Sequence, residues 1–236
     1  MKKSRIATLI VFFVLIPLTL IVGSRLSGRA FYVTSTLVIV ELLIPFFLAF
    51  EGRRPQAREL VVLAVMCALA VAGRVAIPIP SFKAIFGIIM IAGIAFGPES
   101  GFLVGAISAL ASNFFYSQGP YTPWQMMAYG AGGMLAGFVF AQGRLPRKPV
   151  IMGIFGFLAV TFFVGPLLDT CSVFLVMSRI TLKGAMAFYI SGFPVNLRQA
   201  VATAIVLLVL GKPLLEKLDR IKTKYGILDD EGGKET

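Results

Sequence analysis

Between residues 6 and 210 the chain is a succession of eight apolar stretches joined by short polar connections, and this pattern limits the possible folds more than any motif within it. The stretches are 6–23, 31–50, 60–77, 84–96, 101–116, 124–141, 150–177 and 185–210. A helix that crosses a hydrocarbon core needs about 20 residues at roughly 1.5 Å each, and most of the stretches suffice. The stretch 84–96 is short and is expected to sit inside the bundle or to start below the surface. With 58% hydrophobic residues, 14% charged residues and a mean hydropathy of +0.89, the chain reads as an all-α integral membrane protein of eight transmembrane helices. No soluble domain fits between the spans, and only the tail from Lys212 to Thr236 extends into water. Lys2, Lys3 and Arg5 precede an apolar run longer than a typical signal core, so an uncleaved first helix is expected.

Basic residues divide unevenly between alternate connections. One side holds three at the N-terminus, three at Arg53, Arg54 and Arg58, three at Arg144, Arg147 and Lys148, and six in the tail; the other holds Arg25, Arg29, Lys83, Arg179 and Lys183. The positive-inside rule then places both termini in the cytoplasm of a multi-pass cell-membrane protein. It also explains the net charge of +11 as topology, with help from anionic headgroups, so no nucleic-acid partner is expected. Cys67 and Cys171 lie within apolar stretches, where thiols pack as small hydrophobes, and no disulfide is expected. Histidine is absent, which removes His-based metal sites and acid–base chemistry, and no GxSxG, HExxH or phosphate-loop motif occurs. Neither a catalytic residue nor a metal site nor a bound catalytic cofactor is predicted.

Four ionisable residues remain within the spans: Glu41, Arg74, Asp169 and Arg198. Such groups face a partner or a wet cavity, and compatible depths allow the pairs Arg74–Asp169 and Glu41–Arg198. The pairs serve either to lock helices together or to bind a ligand. The eighth stretch carries the polar break 192–199, with Pro194, Asn196, Arg198 and Gln199, which reads as a cavity wall or as a kinked helix whose polar groups satisfy one another. Gly165 and Pro166 precede Asp169, Thr170 and Ser172 in the seventh. Two outward loops, 78–83 and 117–125, combine prolines with aromatic and polar residues; Tyr121 and Trp124 serve there as a lid over a ligand or as interfacial anchors. Small residues recur at Gly101, Gly105 and Ala109 and at Gly130, Gly132, Gly133, Ala136 and Gly137; they permit close helix contact, the default reading, or leave room for a bulky guest. The third stretch places Ala64, Ala68, Ala72 and Ala76 on one helical face, either to dock another protein or to pack within the same bundle.

The alanine ladder, the short helix leading to Ala95-Phe96-Gly97-Pro98-Glu99-Ser100-Gly101-Phe102, the Thr122-Pro123-Trp124 start of a Gly/Ala-rich helix and the final Pro194-Val195-Asn196-Leu197-Arg198-Gln199 occur in one order over roughly residues 58–214. In this the chain resembles the substrate-binding S components of energy-coupling factor (ECF) vitamin transporters, most closely the cobalamin-specific, CbrT-like branch. The resemblance implies a six-helix core at 58–214, preceded by two extra transmembrane helices within 1–57, which depart from the family pattern, and followed by a charged cytoplasmic tail at 215–236. It also implies a vitamin held near the outer face, docking through Ala64, Ala68 and Ala72 onto a transmembrane T component, and two cytoplasmic ATPases that hydrolyse ATP while the S component topples in the bilayer.

The substrate contacts expected on this basis are Arg74, Ser81, Lys83, Tyr121, Trp124, Tyr129, Asp169, Ser172, Asn196, Arg198 and Gln199. Cobalamin is the substrate expected from the resemblance; folate, thiamine and a queuosine precursor stand as alternatives because they draw on the same aromatic and amide groups. A structural or assembly membrane protein would account for the alanine ladder without a substrate. An intramembrane enzyme would have only Glu41 and Asp169 as buried carboxylates.

Overall fold

The computed structural model describes residues 57–177 and 180–226, together with 14, 15, 18, 19, 33, 36–41, 43 and 44. The two expected N-terminal spans and the end of the tail therefore lie largely outside the described residues. Among these residues the chain is helical, with no strand. The helices are α1 (Ala57–Val75), α2 (Ile85–Phe96), α3 (Pro98–Tyr116), α4 (Thr122–Ala136), α5 (Pro149–Ala159), α6 (Gly165–Val176) and α7 (Leu182–Tyr225). A π-helical turn, Gly137–Ala141, extends α4, and another, Val160–Val164, carries α5 directly into α6. The runs Pro149–Val176 and Leu182–Tyr225 are each long and apolar enough to cross a membrane.

The short helix α2 is the centre of the molecule. Every one of its 12 residues is buried, as its lack of a polar face requires, and it packs against α1, α3, α4 and α7. Glycines bring the backbones of α2, α3 and α4 together: a Cβ on Gly93 would lie 2.1 Å from the Gly133 carbonyl oxygen, and one on Gly105 would lie 2.4 Å from that of Tyr129. Of the two readings of these small residues, the structure shows close contact. The far end of α2 is held from the tail, where Lys222 Nζ donates to the Ala95 carbonyl at 2.8 Å. A cation there meets the unpaired carbonyls of a helix C-terminus.

The polar break expected at 192–199 is absent as a break. Helix α7 runs through both Pro194 and Pro213, starting where the Thr181 hydroxyl accepts from the Gly184 amide and ending at the left-handed Gly226. It continues across position 214 into the region expected as tail, and Leu215 and Leu218 remain buried there.

Helix α1 directs Leu63, Met66, Cys67 and Ala70 into the core and leaves Ala64, Ala68 and Ala72 exposed. The alanine ladder therefore faces outward and forms, with Leu103, Ile107, Ala111 and Phe115 of α3, an apolar groove of about 620 Å³. Of the described N-terminal residues, Ile39 packs with Trp124 and Cys171, and Leu43 with Phe102 and Ala106. None of these four partners lines the groove.

Candidate functional site

The last turns of α1 and α3, the first turns of α2 and α4, and the end of α6 converge at one end of the bundle. Sequence fixes these ends locally. Helix α1 stops ahead of Pro78 and Pro80, whose rings exclude a continuing helix. Helix α3 stops at Ser117, which has a φ of 83°, and α4 restarts with Pro123 in its first turn, where a missing amide costs nothing. Between these ends lies a cavity of about 510 Å³, and its polar lining comes from Arg74, Ser81, Lys83, Tyr116, Tyr121, Gln125, Tyr129, Ser172 and Gln199. Ile85, Leu168, Cys171, Leu175 and Val176 supply its apolar wall.

Arg74 organises one side. Its Nη1 donates to Ser112 Oγ at 2.5 Å and to Asn113 Oδ1 at 2.9 Å, and its guanidinium carbon lies 4.9 Å and 5.7 Å from the ring centres of Tyr116 and Tyr129. Both distances are within cation–π range. Tyr116 in turn donates to the Arg74 carbonyl at 3.0 Å. Asn113, 0% exposed, donates to Thr122 Oγ1 at 3.1 Å and Gln125 Oε1 at 2.8 Å. One amide thus ties α1, α3 and α4 together behind the cavity wall. In the loop above, the Thr122 hydroxyl donates to Gln118 Oε1 and the Tyr121 hydroxyl to the Ser117 carbonyl. Lys83 reaches over the other rim and donates to the Ile77 carbonyl, close to Ser81, whose φ is 59°. Strained backbone in a wall loop is a feature of sites where geometry is over-determined.

Of the residues expected from sequence, Arg74, Ser81, Lys83, Tyr121, Tyr129, Ser172 and Gln199 are brought together around this cavity, whereas Trp124, Asp169, Asn196 and Arg198 do not line it. Trp124 is buried behind the wall, its ring 5.4 Å from that of Phe174. Asn196 is buried and donates to Asp169 Oδ2 at 2.7 Å, across a close approach at which a Cβ on Gly192 would strike the same carboxylate. Arg198 is exposed, and its Nε donates to the Pro194 carbonyl at 3.2 Å. The expected ion pairs are corrected accordingly: Arg74 turns to neutral Ser112 and Asn113 and Asp169 to Asn196, while Glu41 accepts from Thr19 at 2.6 Å. Within residues 192–199 the two expectations divide: Asn196 and Arg198 are satisfied by Asp169 and the Pro194 carbonyl, whereas Gln199 forms part of the cavity wall. Asn113 and Ser112 were not anticipated. The available signal was an amide at span depth, which must find partners somewhere.

Cys67 and Cys171 are free, buried thiols. Among the described residues no cluster of three or more His, Cys, Asp or Glu side chains is arranged to hold a metal ion.

Comparison with known proteins identifies a family for the region that holds the cavity. Residues 55–216, which contain α1 to α6 and all but the end of α7, match the family model of the ECF-type riboflavin transporter, S component. No curated protein and no solved structure matches the chain. The matched region covers most of the sequence and contains the cavity, the central helix and the alanine groove, so the chain belongs to the ECF-type riboflavin transporter S-component family and is a membrane transporter subunit, not an enzyme.

Proposed function

We propose that this chain captures a heteroaromatic vitamin of about flavin size in the cavity bounded by Arg74, Lys83, Tyr121, Tyr129 and Gln199, as the substrate-binding subunit of an ATP-driven ECF importer. The observation that carries the reading is the cavity itself: three tyrosines and two glutamines converge with two cations on about 510 Å³. Tyrosine faces suit a flat ring and amides suit its polar edge. The matched family is described by riboflavin, whose ring system and side chain occupy about 350 Å³ at ordinary packing density. Cobalamin, the substrate expected from sequence resemblance, needs roughly 1,000 Å³ and would be enclosed only in part.

In this reading the cavity opens outward, both termini are cytoplasmic as the distribution of basic residues indicates, and the groove at Ala64, Ala68 and Ala72 receives the helices of a T component. Two ATPase subunits supply the energy, and the S component topples to deliver its load. Small side chains along the groove allow the close backbone approach that helices need in lipid. The test is calorimetric titration of the purified full chain with riboflavin, cobalamin, folate, thiamine and a queuosine precursor. Submicromolar binding of riboflavin or another compound of its size supports the reading. Tight binding of cobalamin alone would overturn the size argument and keep the transporter role; binding of none, with no ATPase subunits co-purifying, would overturn both.

A further inference from the structure

The two cations of the cavity have no acidic partner in its wall. Among the described lining residues Arg74 and Lys83 are charged and none is acidic. The contacts of both cations are neutral: Arg74 donates to a hydroxyl and an amide, and Lys83 to a backbone carbonyl. The acidic side chains of the described helices are placed elsewhere. Glu59 and Glu99 are in the first turns of α1 and α3, at the ends remote from the cavity. Asp169 is engaged by Asn196 and Glu41 by Thr19. Glu216 and Asp219 lie far along α7, facing Lys212 and Arg147.

Two half-buried like charges at the edge of a membrane protein repel each other and lose hydration, and neutral hydrogen-bond partners offset only part of that cost. A bound anion removes it, because a guanidinium and an ammonium both make their strongest hydrogen bonds to carboxylate or phosphate oxygens. The tyrosine rings beside Arg74 hold its guanidinium in place without neutralising it.

Resting on the vitamin-binding reading above, we propose that the substrate carries a carboxylate or phosphate that meets Arg74 and Lys83, so that the site selects the acidic form of a vitamin over its neutral counterpart. The remaining polar lining, Gln125, Gln199, Ser81 and Ser172, is neutral and suits the uncharged part of the ligand.

Matched pairs of heteroaromatic vitamins test this: riboflavin against riboflavin 5′-phosphate, and the bis-amide of folate against folate. Each is titrated calorimetrically into the full chain in phosphatidylcholine nanodiscs, with inorganic phosphate as competitor. In whichever pair binds, the anionic member is expected to bind at least tenfold tighter at low salt, with the ratio shrinking in 0.5 M salt as screening rises. In Lys83→Gln the ratio is expected to fall to threefold or less, and Lys83→Arg restores it. Inorganic phosphate that competes with the anionic member but not with its neutral partner supports a phosphate subsite. Equal or tighter binding of the neutral member, or a ratio unchanged in Lys83→Gln, would overturn the charge proposal and leave the vitamin reading standing. Binding of no member, and of none of thiamine, cobalamin or a queuosine precursor, by protein with an intact thermal melt would overturn both.

Discussion

Replacing Asn113 by leucine is expected to weaken both the fold and the cavity, through one side chain that touches no solvent. The amide is 0% exposed and makes three hydrogen bonds: it accepts from Arg74 at 2.9 Å and donates to Thr122 and Gln125 at 3.1 and 2.8 Å. Hydrogen bonds between membrane helices are worth about 0.6 kcal/mol on average and at most about 1.7 kcal/mol, and one to a charged donor about 1.5–3 kcal/mol. Together the three contribute about 3–5 kcal/mol. Ser112 still holds Arg74, and leucine fills a similar volume, so a net loss of about 2–3 kcal/mol of stability is expected. Arg74 and Gln125 both line the cavity, and releasing them from their shared anchor is expected to lower substrate affinity by about 10- to 100-fold, or roughly 1.4–2.8 kcal/mol. Asn113→Asp keeps the contact to Arg74 and cancels its charge, but a carboxylate cannot donate to Thr122 or Gln125. Set beside Asn113→Leu, which loses the same two donated bonds, that variant should lose more of the preference for anionic ligands. Thermal melts and calorimetric titrations on the same purified protein provide the readout. An Asn113→Leu protein with wild-type melting and an affinity within threefold of wild type would refute the role given to this amide.

Three other outcomes are expected. Gly93→Ala places a methyl 2.1 Å from the Gly133 carbonyl oxygen, where backbone cannot yield as a flexible side chain would; a loss of at least about 2 kcal/mol is expected despite alanine's better helix propensity, and a melt equal to wild type would count against the close packing of α2 and α4. Ala64→Trp/Ala68→Trp fills the outward groove of α1 and α3, far from the cavity: substrate binding should stay within twofold of wild type while ATP-driven uptake in cells carrying the T component and ATPases is abolished, and normal uptake would dismiss the groove as the docking surface. A cysteine at exposed Pro120, in a chain whose Cys67 and Cys171 are replaced by alanine, should react with a membrane-impermeant maleimide on intact cells; protection until the cells are opened would reverse the topology.

Sequence by itself determined the helical membrane class of this protein, because runs of about 20 apolar residues have few other stable arrangements. It also determined much of the candidate cavity. Lys83, Ser81 and Tyr121 lie in short proline-bearing loops that fix where the chain turns, and Arg74 lies one turn from such a loop; local rules were enough to put these groups at one end. The spacing of Ala64, Ala68 and Ala72 defined a single face of a helix, though whether that face points to a neighbour or outward depended on which side of α1 meets α2 and α3. Only the tertiary structure decided the partners of charged and polar groups. Depth along a helix can be read from sequence and allowed Arg74 to meet Asp169, but rotation about the helix axis cannot, and it was rotation that turned Arg74 toward Asn113 and Asp169 toward Asn196. The same holds for Arg198: next to Gln199 on a continuous helix, it faces outward while Gln199 faces the cavity, since adjacent positions on an α-helix point about 100° apart.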